Sequence, residues 1–156
     1  MIARKGDYWE EYDRADLFLF TSNGVVSQGK LVMGAGTAKQ MRDRYLGIDK
    51  AIGAKLTEGG YTGTDSSGYI YGLLISNHFP VFKVGAFQTK RHWKEKANLS
   101  LIHQSCDLLI KLIDEYSLTN VHLPYPGIGY GGLNKKDVES IIALLPDVVN
   151  VWEYYD

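Results

Sequence analysis

The chain has 156 residues, a formal charge of −1 and a mean hydropathy of −0.18, so one domain with its own core is the expectation. The near-neutral balance argues against a protein that coats nucleic acid, though a local basic patch stays open. Cys106 is the single cysteine, which excludes an intrachain disulfide and fits a reducing compartment.

The opening Met1-Ile2-Ala3-Arg4-Lys5-Gly6-Asp7 has no apolar signal region, and no run is long enough to span a bilayer. A soluble cytoplasmic protein, most simply a monomer, is expected. Asp16 to Phe20 is a continuous apolar run that predicts a buried strand, ended by the turn signal Thr21-Ser22-Asn23-Gly24. Val25 to Val32 reads as a loop or irregular strand. After Gly34-Ala35-Gly36, residues Ala38, Met41 and Tyr45 recur at helical spacing, and Gly47 stops that helix. A second helix from about Asp49 ends at Gly59-Gly60.

Tyr69 to Ser76 predicts the next strand. Asn77 to Gln88, with Pro80, reads as less regular and leads into the polar cluster Thr89-Lys90-Arg91-His92-Trp93-Lys94. A long helix is predicted over about 97–116, with Leu99, Ile102, Cys106, Leu109, Ile113 and Tyr116 as one buried stripe. On that stripe Cys106 reads as inert core. A strand over Asn120–Leu123, a glycine-rich loop, a helix with Val138, Ile141, Ile142 and Leu145 inward, and a strand over Val148–Glu153 complete the chain. Strands alternating with helices predict a three-layer α/β/α sandwich. A ligand should sit beyond the carboxyl ends of its strands.

Two stretches carry the chemistry. Met33-Gly34-Ala35-Gly36-Thr37 and Pro126-Gly127-Ile128-Gly129-Tyr130-Gly131-Gly132 each lie between a strand and a helix. Glycine lets such loops turn tightly and press against a ligand, and their backbone N–H groups favour an anion. Two phosphate-shaped loops suggest a ligand with two phosphates; the alternative is a pair of tight turns. Gly127-x-Gly129-x-x-Gly132, with Glu153 about 20 residues on, matches the dinucleotide fingerprint, but that motif normally opens a fold and here it closes one. The P-loop pattern is absent, as is a Gly-x-Ser-x-Gly elbow. His78, His92, His103 and His122 are scattered without paired spacing, so no metal or other cofactor is expected.

Together these pieces resemble the macro domain, the ADP-ribose-binding module. Gly6-Asp7 resembles the family's opening Gly-Asp, and Asp16 to Asn23 its buried strand ending in asparagine. Met33-Gly34-Ala35-Gly36 resembles its first phosphate loop, and Pro126 to Gly131 its second. The resemblance covers nearly the whole of residues 1–156, read as a single macro-like domain with a mixed central sheet. It implies that Asp7 takes the adenine amino group, that Met33 to Thr37 and Gly127 to Gly131 hold the phosphates, and that Asn23 faces the distal ribose. A carboxylate suits that role for Asp7 because it only accepts hydrogen bonds; the alternative is a helix cap. Ile128 lies within the second loop, Tyr130 could lie against the distal ribose, and Tyr154 and Tyr155 could stack on adenine.

Met-Gly-Ala-Gly followed later by Thr89-Lys90 is similar to the branch holding the terminal ADP-ribose glycohydrolase and the antitoxin that strips ADP-ribose from DNA. A lysine at the place of Lys90 is catalytic there. Burial and the neighbours Arg91 and His92 would lower its pKa, making it a nucleophile or base; the alternative is a solvated basic patch. The protein-directed glycohydrolase pairs its lysine with an aspartate in the second loop, whereas Gly131-Gly132-Leu133-Asn134 holds no acid before Asp137. Removal of ADP-ribose from protein glutamate by that two-residue route is therefore not implied; the activity the resemblance implies is an ADP-ribosyl hydrolase acting at C1″ on ADP-ribosylated nucleic acid or protein. A phosphatase acting on ADP-ribose 1″-phosphate and a non-catalytic reader are the alternatives, and a dinucleotide-binding domain is a third.

Overall fold

The computed structural model describes residues 1–77 and 83–154; His78, Pro80 and Tyr155 lie outside them. The elements run β1 (Ile2–Lys5), a 3-10 helix (Tyr8–Arg14), β2 (Leu17–Ser22), a hairpin of β3 (Val26–Ser27) and β4 (Lys30–Leu31), then α1 (Gly36–Arg44) and α2 (Ile48–Glu58). There follow β5 (Leu73–Ile75), β6 (Val84–Gln88), α3 (Leu99–Tyr116), β7 (Val121–Pro124), a 3-10 turn (Gly129–Gly131), α4 (Lys135–Ile142) and β8 (Val149–Glu153). The main sheet has the order β1-β8-β7-β2-β6-β5. Its pairs are parallel except β5 with β6, so the sheet is mixed.

Alternation along the strands feeds two cores. Leu17 and Leu19 of β2 face α3 and α4, packing with Ile102, Leu109, Val138 and Ile142. Phe18 and Phe20 face the other way, with Tyr8, Trp9, Met41, Ile52 and Leu56. Both faces of β2 are covered, which is why its sequence is a continuous apolar run rather than an alternating one. Each fully buried Phe or Leu of this strand contributes about 1.5–3 kcal/mol through removal from water. The three-layer α/β/α expectation holds.

Several elements differ from the sequence reading. The strand expected over Tyr69–Ser76 is only Leu73–Ile75. Gly72 sits at φ +76 and breaks the ladder, and the N–H groups of Tyr71 and Gly72 donate instead to the side-chain oxygen of Gln88, at 2.8 and 2.9 Å. β6 lies inside the segment read as less regular, and all five of its residues are buried. β1 has no apolar run to announce it because every residue is exposed on an edge strand. Asp16 lies outside β2; its carboxylate accepts from the backbone N–H groups of Thr119 and Asn120. Cys106 is buried as expected, and burial pushes its thiol up to about 12.

Candidate functional site

The parallel strands β2, β6, β7 and β8 end at the same edge of the sheet, and a cleft of about 860 Å³ opens there. Thr21, Ser22 and Asn23 line it from β2, Thr89 and Lys90 from beyond β6, Pro124 and Tyr125 from β7, and Trp152 to Tyr154 from β8. Both glycine loops contribute, as Gly34 to Ala38 and as Gly127 to Gly131. The three strand spacings from β8 to β6 make about 14 Å along this edge, room for an elongated ligand whose two ends meet different strands.

The start of α1 is chemically incomplete. Its N-cap is Ala35, and no side chain accepts a hydrogen bond from its first turn. The opening turn of a helix always has N–H groups without intrahelical partners. Here the residues that carry them line the cleft, where an anion would be favoured. Asn98 and Asn134, by contrast, cap α3 and α4 with their own side chains. Thr37 does not cap; its hydroxyl accepts from the N–H of Thr21 at 3.2 Å and fixes α1 to β2. In the second loop Gly127 and Gly129 adopt φ +80 and +65, a region closed to most side chains. An added Cβ at Gly127 would come within 2.7 Å of Ile102.

Lys90 is partly buried at the β6 end of the cleft. Its Nζ donates to the carbonyl of Tyr130 at 3.3 Å across the opening. Burial lowers its pKa, and Glu95 opposes that weakly. The expected help from Arg91 is not found: that guanidinium turns away to the carbonyl of Gly68 and the hydroxyl of Ser67. Asn23 forms a turn of its own. Its side-chain oxygen accepts from Val25 N–H at 2.8 Å and its amide donates to Val32 O at 3.0 Å. A second amide proton and a second lone pair remain for a ligand.

Asn23 and Lys90 are joined from below. Tyr71 donates its hydroxyl to the Asn23 carbonyl at 2.7 Å and hydrogen-bonds the hydroxyl of Ser22. Gln88, fully buried, donates to the Lys90 carbonyl at 3.1 Å and to Tyr69 O at 2.7 Å. The amide of Gly24 donates to the Arg91 carbonyl at 2.9 Å.

At the far end, Gly6 N–H meets the carbonyl of Glu153, which brings Asp7 beside Tyr154. One carboxylate oxygen of Asp7 accepts from Trp9 N–H at 3.0 Å, so Asp7 caps the 3-10 helix, and the residue is exposed. Tyr154 donates to Gln40 Oε1 at 3.1 Å, which also takes the indole N–H of Trp9. Of the expected residues, Asp7 does not line the cleft, one of its carboxylate oxygens being taken up by the cap on Trp9. The side chain of Met33 is buried in the core and does not line the cleft, because an apolar side chain preceding Gly34 gains more under the sheet than in a polar opening. Tyr130 lines the cleft but is 82% exposed.

Residues missed from the sequence include Trp93, 49% exposed yet lining the cleft. It belongs to the polar cluster already noted, and a tryptophan set among basic residues was the available signal. Gln88, Tyr71 and Gln40 gave none. Among the described residues, no group of three or more His, Cys, Asp or Glu is placed to hold a metal.

The whole chain superposes on solved structures of this architecture. The macrodomain of Mycobacterium tuberculosis DarG matches with a TM-score of 0.71 and 29% identity, covering 99% of this chain and 98% of that one. The chain is a macro domain. The macro domain of Thermus aquaticus DarG matches with a TM-score of 0.72 at 24% identity, covering 99% and 97% of the two chains. No family profile matches the chain. A curated relative from Mycobacterium tuberculosis, a "DNA ADP-ribosyl glycohydrolase", is 32% identical over 147 aligned residues, 88% of this macro domain. The chain spans 40% of that relative's length. This places it in the DarG branch of macro domains. The dinucleotide alternative falls with the topology: the glycine fingerprint follows β7 late in the chain, and Glu153 pairs with Lys135 at 2.6 Å.

Proposed function

We propose that this macro domain binds ADP-ribose and hydrolyses the bond from its distal C1″ to an acceptor, with ADP-ribosylated DNA as the substrate class. The observation that carries this is the union in one elongated cleft of an uncapped helix start and a lysine whose ammonium is disfavoured by burial. The name of the curated relative supports the acceptor. The Thermosipho africanus DarTG structure, described as a complex with ADP-ribose, shares the fold at 18% identity and a TM-score of 0.70. In this reading the adenine lies between Asp7 and Tyr154, with Tyr155 beyond. The diphosphate lies against Gly34 to Thr37 and Gly127 to Gly131, and the distal ribose lies between Asn23 and Lys90. Residues 1–156 act as one unit and as a monomer, in the reducing cytoplasm.

In the hydrolysis, neutral Lys90 takes a proton from the attacking water as its oxygen bonds to C1″. The bond from C1″ to the acceptor breaks, its electron pair stays with the acceptor, and the proton that Lys90 took goes to the acceptor, which returns Lys90 to the neutral amine. ADP-ribose departs with a new anomeric hydroxyl. No second-loop carboxylate is required, which matches its absence before Asp137.

Calorimetry against ADP-ribose, NAD and AMP tests the binding half. ADP-ribose should bind more tightly than AMP, because AMP can fill only one phosphate loop; equal affinities would exclude joint use of the loops. Release of ADP-ribose from ADP-ribosylated DNA tests the chemistry. Phosphate release from ADP-ribose 1″-phosphate alone would shift the reading to a phosphatase, and binding without turnover to a reader.

A further inference from the structure

Trp93 belongs to neither hydrophobic core cluster and has no role in the proposed hydrolysis. It stands at the tip of a turn closed by Glu95 N–H to His92 O at 3.0 Å and by Lys94 N–H to His92 Nδ1 at 3.1 Å. The backbone that carries the indole is therefore held by its own turn, and the ring lies against the side chains of its neighbours His92 and Lys94. It is half exposed and lines the cleft beside Lys90, at the end opposite Tyr154. Exposed isolated apolar residues are ordinary, but an aromatic ring held at the mouth of a site among cations is a recognised platform for unpaired bases. Lys94 Nζ sits 5.1 Å from the ring centroid, and the His92 ring lies 5.2 Å from it. Among the described residues neither Lys94 nor Lys96 is in an ion pair. Lys96 runs alongside Gly132 of the second loop.

We propose that Trp93 selects the acceptor: the nucleobase carrying ADP-ribose stacks on its indole while Lys94 and Lys96 hold the flanking phosphates. This rests on the reading of the cleft given above. Adenine at the β8 end and the distal ribose at Lys90 leave C1″ pointing toward the β6 end. The acceptor must leave past the residues that follow Lys90, and of the cluster Arg91 to Lys94 it is Trp93 that lines the cleft. A stacking ring discriminates by presenting a flat face, which a glutamate side chain cannot use. It needs the base out of its duplex, so a single strand suits it better than a double one.

The test compares initial rates on a single-stranded oligonucleotide bearing ADP-ribose on a base, on one bearing it on a terminal phosphate, and on a protein bearing it on glutamate. Trp93→Ala should raise KM for the base-linked substrate about tenfold or more, with kcat moving far less. Trp93→Phe should restore most of that loss. The terminal-phosphate substrate should shift much less than the base-linked one. An equal loss on both oligonucleotides and in ADP-ribose affinity would overturn the proposal, leaving Trp93 a wall of the nucleotide pocket. A loss confined to the protein substrate would overturn it in favour of a protein acceptor. If Trp93→Ala equals the wild type while the wild type cleaves DNA, only the role of Trp93 falls. If the wild type cleaves no DNA substrate, the reading of function falls with it.

Discussion

At the scale of single residues, the site turns on the charge of one amine. Lys90 is held by its backbone to Gln88 and by its side chain to Tyr130, and burial disfavours its ammonium. A base must be deprotonated, so activity should rise with pH through this lowered pKa rather than through the ordinary lysine range. Arginine retains a cation and the reach to Tyr130 but stays protonated. Lys90→Arg should therefore bind ADP-ribose within a few-fold of the wild type and lose about a hundredfold or more in turnover, the usual scale of a general base. Calorimetry and single-turnover release measure the two halves, and a fully active Lys90→Arg would end the base mechanism. Lys90 was legible in the sequence because Met-Gly-Ala-Gly followed later by Thr89-Lys90 resembles a branch with a catalytic lysine at that place; that a strand, β6, leads into it was not. The cause of its perturbation was not: Arg91 looked like the neighbouring charge, and only the fold shows it turned toward Gly68.

At the scale of elements, the two glycine loops are built differently. Gly127 packs tightly against Ile102 and Leu133, so it serves the fold. At Gly129, φ is +65 and an added Cβ would meet nothing within 4 Å, so the cleft side there is open. Gly129→Ala should cost about 1–2 kcal/mol of stability from left-handed strain and leave binding nearly intact. Gly129→Glu adds a carboxylate where the anion is placed and should weaken ADP-ribose binding beyond detection while the protein still unfolds cooperatively. Normal binding by that variant would show that the loop is not the phosphate site. The loops were visible from glycine spacing; the missing side-chain cap on α1, with Ala35 where Ser, Thr, Asp or Asn is usual, emerged only with the helix start. The truncation of β5 was not visible, because it depends on Gln88 supplying hydrogen bonds that the sheet would otherwise provide.

At the scale of the whole molecule, the sheet is tied across its parallel strands by a buried polar group. His122 on β7 accepts the indole N–H of Trp152 on β8 at its Nδ1, 2.9 Å away, and its Nε2 lies 2.9 Å from Asn120 Oδ1. That pairing needs the neutral ring with the proton on Nε2. Burial lowers its pKa, with Arg4 and Arg14 in the same direction and Glu11 and Asp16 opposed. The unfolded ring titrates near 6.5, so this contribution is complete above that pH and is lost as pH falls below it toward the folded value. Urea unfolding from pH 7.5 to 5 should show stability falling. His122→Phe should be less stable at pH 7.5 yet flatter across that range, and an unchanged slope would remove His122 as the cause. Glu11, its carboxyl held down first by Arg14, contributes only at more acidic pH. The sequence by itself determined the layers, the two anion loops and the polar cluster around Lys90, because periodicity, glycine spacing and local composition are properties of the chain read along its length. Tertiary structure alone decided that β8 and β6 flank the pair β7 and β2, so that Tyr154 and Trp93 stand at opposite ends of one cleft. It also decided that Met33 turns into the core and that Gln88, Tyr71 and Ser22 join Asn23 to Lys90. Those outcomes depend on which distant strands pair and which side chains are desolvated together, and neither is encoded in the spacing along the chain.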